Sequence, residues 1–323
     1  MASPSFERLK ASGRLPSPTG VALEILRLSE SEDASIEAIA TLVSSDPAIV
    51  SRLLKLINSP IAGIARPIAS IRQSIALLGI KTVKQLALGF SLIGNHRRDS
   101  CKRFDYDQFW SVSLGRAVAA RQIVRRLGSF CPDETFTCGL LSKIGRLALA
   151  TFKPESFAQV LNAVDPDDTV GMLAREREVF GIDHNELSAE MMAEWFLPEL
   201  FRTAVLAQDD PDHSDLQPGS RPLQLAQTLQ LGGLVSKALT QAGLSGSAIS
   251  GINRALKRVG IAQPDFEADF ETITDDWRAA GQIYSIATRE VPALKQIYAT
   301  AAEHRNQLTD ELANYPFAHL HSG

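Results

Sequence analysis

Metal-assisted hydrolysis needs several His, Asp or Glu side chains converging on one ion, because a divalent cation gives up its water only for fixed oxygen and nitrogen ligands. The chain has six histidines, His96, His184, His213, His304, His319 and His321. No two stand at i, i+4 on a helix, and neither HxxxH nor HExxH occurs. The densest set of potential ligands is Asp209, Asp210, Asp212, His213 and Asp215, in a proline-containing stretch. It lacks the glycine and terminal glutamate of a calcium loop, so a solvated acidic loop is the plainer reading. His184 follows Asp183 in FGIDHNELSAEMMAEW. Asp183 can cap a helix there and Glu186 stands in its first turn, which favours a hydrogen-bonded helix-start histidine over a lone ligand.

Nucleophilic chemistry has less support. There is no G-x-S-x-G elbow, and no Ser or Cys with an activating base beside it in sequence. The glycines at 232, 233, 243, 246 and 251 fit neither G-x-G-x-x-G nor a Walker loop and read as helix ends and turns. Three cysteines, Cys101, Cys131 and Cys138, are too few and odd in number for a disulfide framework. Basic residues cluster at Arg97, Arg98, Lys102 and Arg103, at Arg121, Arg125 and Arg126, and at Arg254, Lys257 and Arg258. Aromatic residues do not interleave with them, so single-strand stacking is poorly supported, and a solvated face or a patch for an anionic partner remain the readings. With 33 Lys+Arg against 37 Asp+Glu, a net charge of −4 supplies no bulk attraction to nucleic acid or an anionic membrane.

The elements that must position these residues are helices. Apolar residues recur at helical spacing, as at Val21, Ile25 and Leu28, then Ile36, Ile39, Ala40 and Val43, then Ile49, Val50, Leu53, Leu54 and Ile57. No convincing alternating strand is present. The first 95 residues read as about five short helices. Longer striped segments run from about Tyr106 to Leu127 and from about Glu134 to Ala150, with Gly128 to Asp133 as a turn between them. Helical patterns follow at about 154–163, 168–180, 184–196 and 198–207. The clearest break is QDDPDHSDLQPGSRP at 208–222, a linker or a long surface loop. Beyond it, 223–244, 247–259 and 265–312 are again helical, the last interrupted by Pro292. No segment approaches the roughly 18 apolar residues of a membrane span, and the start lacks a secretory h-region, so a cytoplasmic protein is expected.

Three segments, LPSPTGVALEILRLSE, IATLVSSDPAIVSRLLKLINSP and RPIASIRQSIALLGIKTVKQLAL, resemble in order the HDOD family, the HD-related output domains of bacterial signalling proteins. The resemblance rests on Leu15-Pro16 with Pro18, Asp46-Pro47, Leu53-Leu54, Asn58-Ser59, and Ile71 through Leu78-Gly79. Asp46, Pro47, Asn58, Ser59 and Gly79 read as fold determinants at helix starts and stops, with a partner-facing role the alternative for Asp46 and Asn58. The likeness covers about 14–210, after an extension at 1–13. It implies an all-α fold, with an N-terminal lobe at about 14–95 packed on an HD-like lobe from about 104. Helices at 222–312 would continue or cap that lobe, and 313–323 would be a tail.

HDOD domains are similar to HD phosphohydrolases, whose metal site uses a histidine on one long helix, a His-Asp pair on the next, later histidines and a final aspartate. At the corresponding positions this chain has Val112, Ser142-Lys143, His184, Gln208-Asp209 and Gln227. An ammonium repels a cation, so Lys143 opposes metal binding. The expectation is a catalytically inert signalling output module, with no metal or other cofactor, that contacts other signalling proteins. No membrane and no nucleic acid are expected as partners. One alternative is a nucleotide or cyclic-dinucleotide sensor that uses the vestigial pocket, Lys143 and Arg146 pairing the phosphates. Another is a metal-dependent phosphohydrolase using His184 and the 209–215 aspartates.

Overall fold

The computed structural model describes residues 3–18, 20–28, 35–58, 64, 66–95 and 101–313. Ser59 lies outside the described residues, as do His96, Arg97, Arg98, His319 and His321. The described residues are helices and connecting turns, with no strand among them.

Local sequence sets the helix starts in the N-terminal lobe. Ser35 caps α3 (Ile36–Ser44), and Ser70 caps α5 (Ile71–Leu78). The Asp46 carboxylate accepts from the amides of Ala48 and Ile49 at 2.9 and 3.2 Å and opens α4 (Pro47–Ile57), with Pro47 in its first turn. Gly79, at φ 82°, turns the chain sharply between α5 and α6 (Ile80–Asn95), a conformation open to glycine and costly for other residues. With α2 (Val21–Leu28), these helices bury Ile25, Ile39, Val43, Leu53, Ile75 and Val83.

Asn58 ends α4 and ties down the following segment. Its Nδ2 donates to the Leu54 and Ile68 carbonyls at 2.9 and 2.8 Å, and its Oδ1 accepts from the Ile68 amide at 2.7 Å. Asn58→Ala is therefore expected to cost about 1–2 kcal/mol, measured as a shift of the urea midpoint at unchanged slope. A cost within about 0.5 kcal/mol would show that water replaces these bonds without loss.

The main lobe is built around α7 (Tyr106–Leu127), whose small residues admit close neighbours. α8 (Pro132–Leu141) and α14 (Arg221–Thr240) pack along it. At Gly139 a Cβ would stand 2.8 Å from the Ala117 Cα. α16 (Gln263–Tyr284) is tied to α7 by Arg121 with Asp276 at 2.9 Å and by Arg126 with Asp269, so two residues of the middle basic cluster serve the fold. Trp277 donates to the Ser111 carbonyl at 3.2 Å. Trp110, Trp195 and Trp277 are all buried in this lobe. The lobes meet where the Phe90 and Tyr284 rings lie 4.7 Å apart.

One expectation needs revision and two are made more definite. Residues 1–13 contain a docked helix, α1 (Pro4–Ala11), started by Ser3 and Pro4. It buries Phe6 and Leu9, and Arg8 donates to the Phe180 carbonyl at 2.7 Å, so it belongs to the main lobe. The 134–150 segment is two helices, because the chain breaks at Ser142-Lys143 before α9 (Ile144–Phe152). Ser142 Oγ turns back to the Gly139 carbonyl at 3.1 Å, as a serine hydroxyl does where it competes with the helix ladder. Of the two readings of 208–222, the loop is the one the structure has: α14 beyond it lies along α7 in one continuous core, so it does not link separate units.

Among the described residues, no single helix is long and apolar enough to cross a membrane.

Candidate functional site

The break between α8 and α9 delivers Lys143 to the middle of the main lobe. α12 (His184–Glu194) starts beside it, held by a capping box in which Asp183 accepts from the Glu186 amide at 2.8 Å and Glu186 accepts from the Asp183 amide at 2.9 Å. The cap places His184 and Asn185 side by side at the helix mouth. α13 (Glu199–Ala207) runs out at Gln208 and Asp209 on the opposite side. α9 and α12 approach closely at Gly145, whose amide donates to Ser188 Oγ at 2.9 Å.

The Lys143 ammonium has three hydrogens and three acceptors: His184 Nε2 at 2.9 Å, Asn185 Oδ1 at 3.0 Å, and the Asp209 carboxylate. An ammonium only donates, so His184 Nε2 accepts and the ring proton sits on Nδ1. That Nδ1 donates to Glu176 at 2.6 Å, on α11 (Thr169–Phe180), and Glu176 also accepts the His184 amide at 2.9 Å. Asn185 Nδ2 donates to Asp209 at 2.7 Å. Gln208 Nε2 donates to the Ser142 carbonyl and Asn185 Oδ1 at 2.8 and 3.0 Å.

Charge follows from this packing. Burial lowers the Lys143 pKa to about 8, with Asp209 opposing the shift and Arg116 adding to it. Burial alone would raise Asp209, but the ammonium outweighs it and holds the carboxyl well below its ordinary range. Glu176 is likewise pushed up by burial and brought down further by His184.

Lys143 forms part of the wall of a cavity of about 780 Å³. Seven arginines and lysines border it against four aspartates, in a chain whose overall charge is negative. Arg116, on α7, is enclosed except toward the cavity and reaches Ser142 Oγ at 3.1 Å; burial lowers its pKa to about 10. The Nε atoms of Arg116 and Arg146 are buried without a partner, and among the described residues neither guanidinium forms an ion pair. Arg254 and Arg258, on α15 (Gly246–Val259), stand at the rim, and Arg258 also pairs with Asp212. Phe104, Phe109, Leu161, Met172 and Leu234 supply apolar wall.

Sequence positions meet this geometry unevenly. Val112, Lys143, Arg146, His184, Gln208 and Asp209 border the cavity, and Ser142 is buried beneath Arg116. Gln227 does not border it. The α14 residues that do begin one turn later, with Gln230, which donates to the Asp209 carbonyl at 3.1 Å, then Gly233, Leu234 and Lys237. Asp215 is exposed, and His213 is exposed and bonded to Asp210 at 2.9 Å. Asp46, Pro47, Asn58 and Gly79 lie in the other lobe at helix ends. Arg116, Glu176, Asn185 and Gln230 were not foreseen. The available signal was a charged residue inside an apolar helical run, as in GRAVAA at 115–120.

The HDOD domain profile matches residues 15–211. The chain belongs to the HDOD family. An HDOD domain protein of unknown function from Geobacter sulfurreducens is 22% identical, with a TM-score of 0.60 over 87% of this chain and 95% of that one, a likeness of fold. The MmoQ response regulator of Methylococcus capsulatus (strain Bath) is 35% identical over 77% of this chain and 95% of that one, with a TM-score of 0.48. An uncharacterized protein of Treponema pallidum (strain Nichols) is 24% identical over 200 residues, 62% of this chain and 38% of that protein's length. The HD-type metal site implied by the family's relatives does not fit this HDOD site. The would-be donors His184 and Asp209 surround an ammonium, and among the described residues no three His, Cys, Asp or Glu side chains are grouped to hold an ion.

Proposed function

We propose that this HDOD protein is a non-catalytic regulatory module of bacterial signalling, working in the cytoplasm through contacts with other signalling proteins. The reading is carried by one observation: Lys143 places a chain-borne cation among His184, Asn185 and Asp209. A metal ion would have to displace that ammonium and then endure it nearby, at a Coulomb cost of several kcal/mol. Without such an ion there is no metal-bound water of lowered pKa to attack a phosphoester. The HDOD family as a class of output domains supplies the signalling part of the proposal.

The test is elemental analysis of untagged protein together with a phosphodiesterase assay across added manganese, iron and magnesium. The expected outcome is metal well below one ion per chain and no turnover above the buffer rate. Stoichiometric metal with metal-dependent cleavage would overturn the proposal.

A further inference from the structure

The three cations in the heart of the cavity differ in what they already hold. All the hydrogens of Lys143 are committed, so it is not available to a ligand. Arg116 and Arg146 border the cavity and, among the described residues, neither forms an ion pair, although Asp209 acts on Arg116 and Glu176 on Arg146 from further away. A guanidinium's planar fork matches a phosphate group. Arg254, exposed at the rim on α15, adds a third guanidinium without an ion pair among the described residues. Between floor and rim lie the apolar surfaces of Phe109 and Leu234, a wall suited to a planar ring. The volume, about 780 Å³, is in the range that encloses a small organic ligand.

We propose that this cavity binds a nucleotide intact, its phosphate on Arg116 and Arg146, its base against the Phe109 wall, and Arg254 closing over the outer charge. Cyclic dinucleotides and mononucleotides share this chemistry of phosphate beside a flat ring. The proposal rests on the non-catalytic reading only in that the ligand leaves unchanged. It also reassigns the phosphate-pairing role expected of Lys143: that residue holds Asp209 in place, and the arginines face the ligand.

The experiment is calorimetric titration of the full chain with cyclic di-GMP, cyclic di-AMP, GTP and inorganic phosphate, followed by chromatography of the recovered ligand. One of the nucleotides is expected to bind at least about tenfold more tightly than phosphate. Arg146→Gln, and Arg254→Gln at its exposed position, are each expected to weaken that binding by about tenfold with circular dichroism unchanged. Should Arg146→Gln not fold, Arg254→Gln carries the test. The proposal is overturned if no nucleotide binds up to about 1 mM, if phosphate binds as tightly as the nucleotides, or if the folded variants bind like wild type. Recovery of a cleaved nucleotide would refute the non-catalytic reading while leaving the site, whereas absence of binding removes the site and leaves that reading standing.

Discussion

Lys143→Met is expected to lower the free energy of unfolding by about 3–5 kcal/mol, the cost of leaving a buried charge without its partner. Methionine fills much of the same volume, so the loss reports the ammonium and not a hole. Asp209 would keep its bond from Asn185 but lose its counter-charge, and His184 Nε2 would lose its donor. In Lys143→Met/Asp209→Asn both charges are gone, and the double variant is expected to recover part of the loss. The pH dependence carries a sign. The Asp209 carboxyl is depressed in the folded wild type, so its contribution is present above the unfolded value of 3.8 and is lost as pH falls through the folded value. In Lys143→Met burial pushes Asp209 up against only His184 and the Asn185 bond, so its carboxyl lies higher than in the wild type and protonation costs the variant less. The stability gap between the two proteins should narrow below about pH 4 in urea titrations. A gap that is small at neutral pH, or that widens in acid, would mean Lys143 is not the centre of the network.

Gly145→Ala is expected to cost at least about 3 kcal/mol, although alanine is ordinarily the better helix former by about 1 kcal/mol. The reason is backbone, not side chain. A Cβ at 145 would stand 2.1 Å from the His184 carbonyl oxygen and 2.9 Å from its carbon, so α9 and α12 would have to part. Parting them also breaks the bond from the Gly145 amide to Ser188 and shifts the His184 ring against Lys143. Gly243→Ala serves as the control, since nothing lies within 4 Å of its added Cβ. Thermal unfolding should show a large loss for the first and a change within about 0.5 kcal/mol for the second. Equal effects in the two would contradict the close approach.

Spacing and caps made the helices legible. The run Ile49, Leu53 and Ile57 is the buried face of α4, and Asp46 and Asp183 open helices as residues of their type do. The break at Ser142-Lys143 was hidden because Leu140, Leu141, Ile144 and Leu147 continue an apolar stripe through it. The loss of metal-ligand residues at 142 and 143 was visible from the resemblance, but what replaced them was not. Lys143 meets partners 41, 42 and 66 residues away, and no local pattern encodes such contacts. Gln227 was placed one helical turn from the α14 position that borders the cavity, the ordinary size of error where an apolar helix offers no register mark. Arg116 was overlooked because its neighbours predict a buried helix face, and a charge there signals function only once its surroundings are seen.

The aromatic residues divide unevenly between the lobes. Trp110, Trp195 and Trp277 all sit in the main lobe, and residues 1–95 contain no tryptophan or tyrosine. Tryptophan emission therefore watches one half of the molecule, while far-ultraviolet ellipticity sums the helices of both. Loosening of the N-terminal lobe alone would dim the ellipticity and leave the emission unchanged. Superimposed melts by the two probes would mean the lobes unfold as one cooperative unit. Displaced melts would measure the free energy separating them without any label being introduced.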